Sequence, residues 1–337
     1  LDAGATIVNG GSSTYVYMAI RRPDGYVGKP AEAGTDVFAM DASPVNAFPS
    51  FVSGFPVDFA LDKKPAASGS WEATSRFMAS NKYLITELIN NESTYGSTPG
   101  EWKKDSNTGF GKSTWHGAGY QGWMWKRGAG FDVVCYDGDP NNVNKNLQVI
   151  HSLNAVPEMI WVKCRSHSGQ WVVGHAGLNG GTNPWNYYMA IETTTAQIDN
   201  TVWADTAPTA SHFTVGANFS SLNTNGRDYI AMLFASVDGI SKVGYYNGSG
   251  AAGNAQNIGF QPRFIMIKRS NAVENWPVFD TVRGLGVGND PWLNIDEDSA
   301  QNTGQDLLSL SSTGFSFNDG QAMMNASGGE YIYYAHA

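Results

Sequence analysis

Several carboxylates in this sequence have the chemistry for acid–base catalysis: Glu72, Glu87, Glu192, Asp205 and Asp280. Glycoside hydrolysis asks only for two such groups, about 5 to 10 Å apart, in a cleft lined by aromatics. Spacing pairs none of them. Glu87 and Glu192 fall in corresponding segments, and the third such segment offers Asp296 or Glu297 in a shifted frame. Nucleophilic catalysis has less to stand on, because no GxSxG occurs. "GLGVGND" (284–290) has the glycines of a phosphate loop but no predicted helix after it. The 6 His include no i, i+4 pair and no HxH, and the 2 Cys add no zinc pattern. No metal and no cofactor are expected. "DGDPNN" offers Asp137, Asp139, Asn141 and Asn142 as oxygen ligands for Ca²⁺. The corresponding segments read "DASPVN" and "NGSGAA", so a plain hairpin turn is the expectation.

Aromatic residues offer binding chemistry of another kind. Trp102, Trp115, Trp185, Tyr187, Tyr188, Trp203 and Trp292 sit among Gly, Asn, Ser and Thr. Ring faces beside amides and hydroxyls suit sugars, and they suit subunit contacts or simple packing as well. Trp71, Trp171 and Trp276 recur at even spacing, which reads as three equivalent core anchors. Lys and Arg in "VKCR" (162–165) and "IKRS" (267–270) read as solvated strand ends that discourage edge pairing.

These residues ride on an internal repeat. "GFPVDFALDKKPAASGSW" (54–71), "AVPEMIWVKCRSHSGQW" (155–171) and "FQPRFIMIKRSNAVENW" (260–276) resemble one another, with Pro56, Pro157 and Pro262 in register. "DVFAMDA", "DVVCYDG" and "KVGYYNG" precede them, and "KYLITEL", "NYYMAIE" and "PWLNIDE" follow. Each unit closes on an alternating aromatic run: "YQGWMWKR", "YIAMLFAS" or "YIYYAHA". A fourth such run, "YVYMAIRR" (15–22), has no unit before it. Residues 1–22 therefore read as the closing strand of a preceding repeat, followed by units 23–128, 129–237 and 238–337. With Leu1 at the start, this suggests a piece of a longer, repeat-built protein.

Short runs of aromatic and β-branched residues, cut by Gly, Asn and Pro, predict strands. About seven short strands per ~105 residues predict an all-β chain of three tandem β-sandwich repeats, jelly-roll or lectin-like. One body with each unit giving a face, such as a prism, is the alternative. Composition agrees with the class: charged residues are 15%, aromatics 12%, and Gly numbers 39 of 337. A net charge of −9 without a basic cluster argues against nucleic acid. No run approaches the ~20 apolar residues of a membrane span. Cys135 and Cys164 fall in one unit, and their counterparts are taken as Ala39 and Tyr245, and Lys63 and Arg269. The fold should therefore not depend on them, and whether they are bonded stays open.

The runs "YVYMAIRRPDG", "FVSGFPVDFAL", "SWEATSRF", "PEMIWVKCRS", "YIAMLFASVDGISKVGYYNGSG", "NWPVFDTVRG" and "YIYYAHA" carry a family resemblance. They are similar to the repeated β-rich domain of tail-fibre and appendage proteins of marine and other environmental tailed phages. The resemblance spans essentially the whole chain. It implies an extracellular virion tail component acting at the host surface beside other tail proteins; with a low-charge, aromatic-rich β chain and no catalytic constellation, a non-enzymatic appendage that binds a host-surface glycan or receptor is the first expectation. It also implies a homo-oligomer, most simply a trimer, and the 11 Trp, 15 Tyr and 16 Phe supply apolar area for such contacts. A purely structural subunit of a fibre or sheath and a polysaccharide depolymerase are the alternatives.

Overall fold

A computed structural model describes residues 31–42, 48–95, 102–112, 118–139, 141, 143–217 and 219–337. The expected closing strand 15–22 lies outside the described residues, as does Trp115. The protein is all-β. Helix among the described residues is limited to 3₁₀ turns of three or four residues.

Three large antiparallel sheets are wound in one order. Across the first run Phe38–Asp41, Gln121–Trp125, Phe59–Lys63, Glu72–Ser75, Lys82–Ile85 and Ser93–Thr94. The second runs Phe131–Asp137, Asp228–Phe234, Met159–Cys164, Val172–His175, Tyr187–Ala190 and Ile198–Asp199. The third runs Ser241–Asn247, Glu330–His336, Phe264–Arg269, Pro277–Asp280 and Trp292–Asn294. In each, the aromatic closing run slots between the unit's opening strand and the strand that follows the repeated proline.

A smaller sheet backs each large one. It consists of Phe51–Val52, Gly109–Lys112 and Trp102–Lys103 in the first unit, and of Leu147–Ile150 and His212–Val215 in the second. In the third it consists of Ala255–Asn257, Gly314–Phe317 and Leu308–Ser311. Strand period 2 decides which residue faces which layer. Ile160, Val162 and Cys164 face outward onto Val149, Phe213 and Val215 of the small sheet. Met159 and Trp161 face inward, where they meet Phe59, Leu61, Phe264 and Met266 of the other two units. Each unit is thus a sandwich, and the inner faces of all three large sheets share one core. Trp71, Trp171 and Trp276 are completely buried in it, as expected of anchors. Much of the aromatic surplus is spent here, inside the body.

The registers correct two equivalences drawn from sequence. Phe59 pairs with Trp125, Met159 with Phe234 and Phe264 with His336. Between Pro56 and its strand the first unit therefore carries one residue more than the others. The counterpart of Lys163 is Lys63, so that of Cys164 is Lys64. Likewise Phe38 pairs with Trp125 as Phe131 pairs with Phe234, which makes Ala42, not Ala39, the counterpart of Cys135. A one-residue slip matters because it turns every side chain to the opposite face.

Candidate functional site

At one end of the shared core the inward stripe of each central strand terminates in a lysine: Lys63, Lys163 or Lys268. All three are fully buried. The reading of "VKCR" and "IKRS" as solvated ends is therefore corrected for Lys163 and Lys268. Their place in the alternation, two residues beyond Trp161 and Met266, commits them to the inner face. Each ammonium lies 5.7 Å from the centroid of its unit's anchor indole, Trp71, Trp171 or Trp276. Each donates to a carbonyl in its own loop, that of Gly69, Gly169 or Glu274. Each also donates to a neighbouring unit: to Glu297 O at 3.4 Å, Leu88 O at 3.3 Å and Thr194 O at 2.8 Å respectively. Burial pulls all three ammonium groups down to about 8.

The anchors repeat the pattern. Trp71 Nε1 donates to Asn294 O at 2.8 Å, Trp171 Nε1 to Ile85 O at 2.9 Å, and Trp276 Nε1 to Thr193 O at 3.2 Å. The first unit thus holds the third, the second holds the first, and the third holds the second. Backbone bonds run the same way, from Gly69 N to Asp298 O, Gly169 N to Ile89 O and Glu274 N to Thr194 O. The three units are closed head to tail into a ring.

This ring engages the carboxylates first considered for catalysis. Glu87 accepts from Trp71 N at 3.2 Å, Glu192 from Trp171 N at 3.0 Å and Asp296 from Trp276 N at 2.9 Å. The shifted third frame is thereby resolved in favour of Asp296. Burial raises the pKa of Glu87 and of Glu192, and pushes Asp296 up to about 6. Asp280 is fully buried, paired with Arg283 at 2.7 Å and accepting from Trp123 Nε1 at 3.1 Å. Glu72 is half-buried on its strand, and Asp205 sits on an exposed left-handed turn. Asp139, in the "DGDPNN" turn, accepts from Val143 N and Asn144 N at 2.9 and 3.0 Å. Its oxygens cap the turn.

Of the aromatic candidates, Trp185, Tyr188 and Trp203 are 6%, 6% and 1% exposed. Trp185 and Trp203 meet edge to face, with centroids 5.7 Å apart, inside the second sandwich. Their faces are covered, so they offer none to a sugar or a subunit. Tyr187 packs half-buried against the shared core and Trp292 against the third unit's core. Trp102 lies in the first unit's small sheet.

The structure opens a cleft elsewhere, on the first unit. It encloses about 710 Å³ and is lined by Phe48, Arg76, Met78, Ser80, Lys103, Lys104 and Asp105. Two loops build it. One, 76–81, joins Glu72–Ser75 to Lys82–Ile85, and the other follows Trp102–Lys103. Lys104 Nζ donates to Ala79 O at 3.0 Å and Lys82 O at 3.1 Å, which fixes the ammonium against the first loop. Burial lowers its pKa to about 7. Lys103 Nζ stands 5.2 Å from the centroid of the Phe48 ring. Arg76 donates to Val57 O at 3.3 Å and lies 3.6 Å from Asp58.

Sequence reading missed this cleft because Arg76 and the pair Lys103 and Lys104 lie far apart in sequence and no motif joins them. It also missed a buried asparagine in each of the other units. Asn223 bonds to Asp139 N, Lys145 O and Gly216 O, and Asn325 to Ser249 N, Ala251 O and Asp319 O. A shared spacing, Asn223 six residues before Tyr229 and Asn325 six before Tyr331, was the available signal.

The sequence matches the model of a family described as a domain of unknown function, DUF7483, over residues 52–337, and the chain belongs to that family. The match covers the second and third large sheets and all of the first except its edge strand Phe38–Asp41. No curated protein matches the chain in sequence.

Proposed function

We propose that this chain is a non-enzymatic appendage module of a tailed-phage virion, a tail fibre or related tail protein that attaches to a host-surface glycan. The resemblance of its repeats to phage tail proteins supports the setting. One structural observation supports the non-enzymatic part: Glu87, Glu192 and Asp280 are bound into the framework. A carboxylate held by the backbone N–H of a core tryptophan is not free to approach a glycosidic bond. In this reading the ring gives a rigid carrier, and loops on the sandwiches supply specificity. Association into a homotrimer beside other tail proteins belongs to the same proposal.

A structural subunit without ligand is the second reading. It is favoured by the burial of Trp185, Tyr188 and Trp203, which leaves those candidate rings no face for a sugar. A glycan array probed with the purified chain separates the two, since saturable binding to host-envelope glycans is expected only of the first. Release of reducing sugar from host polysaccharide would overturn both. Light scattering at micromolar concentration tests the trimer, and a monodisperse monomer removes it.

A further inference from the structure

The cleft of the first unit occupies a place that the second unit fills. The loop 76–81 corresponds to 176–186, between the strands Val172–His175 and Tyr187–Ala190, and is five residues shorter. The longer loop carries Trp185 into the second sandwich and Leu178 into the shared core, and the segment ahead of His212–Val215 carries Trp203. In the first unit, the segments at these two places bring Arg76, Met78 and Ser80, and Lys103, Lys104 and Asp105. Three cations thus line the cleft at the place where the second unit packs Trp185 and Trp203.

The charge there is opposite to that of the whole chain. Net charge is −9, yet the cleft gathers three cations against Asp105, with Asp58 beside Arg76. The lining also has an apolar part, the Phe48 ring and the buried Met78. Apolar walls with a few fixed polar groups are the general form of a small-ligand site. Two of the cations are held in advance. Carbonyls of Ala79 and Lys82 fix Lys104, and Val57 O holds Arg76. Pre-positioning reduces the ordering cost on binding.

We propose that this cleft binds an oxyanion carried on a sugar, a uronate carboxylate, sulfate or phosphate, with Lys103, Lys104 and Arg76 facing the charge and Phe48 facing the ring. Anion and cation are then paired where solvent is partly excluded, which strengthens the attraction. A bound anion joins Glu92 in favouring the charged form of Lys104, against its burial and the nearby Arg165, which favour the neutral one. Binding near neutral pH therefore takes up a fraction of a proton.

The test is isothermal titration of the intact chain with four probes: oligogalacturonate, a sulfated heparin oligosaccharide, a neutral glucan oligomer of equal length, and inorganic phosphate. At least one anionic oligosaccharide is expected to bind saturably, at least tenfold tighter than the neutral glucan and than phosphate. Its heat should vary with the buffer's ionisation enthalpy at pH 7. Lys103→Gln and Lys104→Gln should each weaken it about tenfold, and Asp205→Asn, on another unit, should leave it unchanged. The preference between uronate and sulfate identifies the oxyanion. Equal binding of the neutral glucan, equal binding of phosphate alone, no binding, or indifference to both lysine variants each overturns the proposal. It rests on the attachment reading only for its biological setting. Failure of the chain to bind host cells, with oligosaccharide binding intact, would sink that reading and leave this one standing.

Discussion

The first and second sandwiches share a strand order and a ring of inter-unit contacts, and they differ at two loops. Where the second packs Trp185 against Trp203, the first leaves a cleft of about 710 Å³ edged by Arg76, Lys103 and Lys104. The inner face was not altered to make room. Lys63 and Lys163 sit over their indoles at the same 5.7 Å in both units. What differs between the units thus lies on outer loops and in the small sheets, while the shared core and the ring stay constant. That is the usual division of labour between a scaffold and the loops it carries.

The sharpest way to break the comparison is to open the filled place. Trp203→Ala removes a side chain that is 1% exposed and touches Trp185 and Phe213. A loss of about 3–5 kcal/mol is expected, as for large aromatic truncations in cores. Lys104→Gln in the first unit, by contrast, should stay within about 1 kcal/mol, because the variant sheds the cost of holding a charge out of water. Urea unfolding of the two variants side by side checks this. Equal losses would mean that the cleft is as much a part of the core as the indole pair.

The ring gives the next largest effect. Lys163→Met takes the ammonium from Leu88 O and Gly169 O and leaves Glu192 without its nearby opposite charge. A loss of about 3 kcal/mol is expected, since breaking one partner of a buried pair strands the other. Adding Glu192→Gln should recover part of it, and a double-mutant cycle reads the coupling. No recovery would show that the lysine acts through its carbonyls alone.

Much of the frame was legible beforehand, for a physical reason. Trp71, Trp171 and Trp276 are large apolar groups at repeat spacing, and a core demands such groups at fixed places. The alternating closing runs announced central strands in the same way. The lysines were misread because composition says that Lys stays at the surface, while alternation placed Lys163 inward after Met159 and Trp161. Only the tertiary structure supplies the carbonyls that make this tolerable. Trp185, Tyr188 and Trp203 were misplaced for the converse reason. Gly- and Asn-rich surroundings marked Trp185 and Trp203 as loop residues, but a loop can fold back onto a small sheet. The cleft was invisible because loop length, not motif, creates it.

A smaller effect links the two regions through pH. Lys63, Lys163 and Lys268 have folded pKa values of about 8, and Lys104 about 7. An unfolded lysine titrates near ~10.4. Between these values the unfolded chain binds more protons, so stability rises with pH and is lost as pH falls back through 8. About 1 kcal/mol per lysine is expected from pH 8 to 10, after allowing for the carbonyls that solvate each ammonium. Asp296 acts in a lower window. Its folded pKa of about 6 lies above the unfolded value, so its contribution is complete below about pH 4 and is lost as pH rises through 6. Chemical denaturation from pH 4 to 10 tests both signs. A flat profile between pH 8 and 10 would mean that the carbonyls fully replace water around the ring lysines.

The smallest expected effect concerns the two thiols, which share a unit and differ in everything else. Cys135 pairs across to Ile230 and Cys164 to Tyr229, so the strand Asp228–Phe234 runs between them. Two strand spacings put the thiol-bearing strands about 9–10 Å apart, beyond the reach of a disulfide without backbone movement. Adjacent partners on the intervening strand also place the two on opposite faces of the sheet. Both are free, Cys135 exposed and Cys164 fully buried on the outward face among Val162 and Tyr229. Reductant should therefore leave the unfolding curve unchanged. Cys135→Ser should shift stability by less than about 0.5 kcal/mol, as exposed substitutions do. Cys164→Ser, which buries a hydroxyl, should cost about 1–2 kcal/mol. Thiol labelling under native conditions gives the direct reading: one group modified quickly and the second only on unfolding. Two equally fast groups would place Cys164 at the surface and undo the assignment of the outward face, whereas protection of both until reduction would require the two strands to be neighbours.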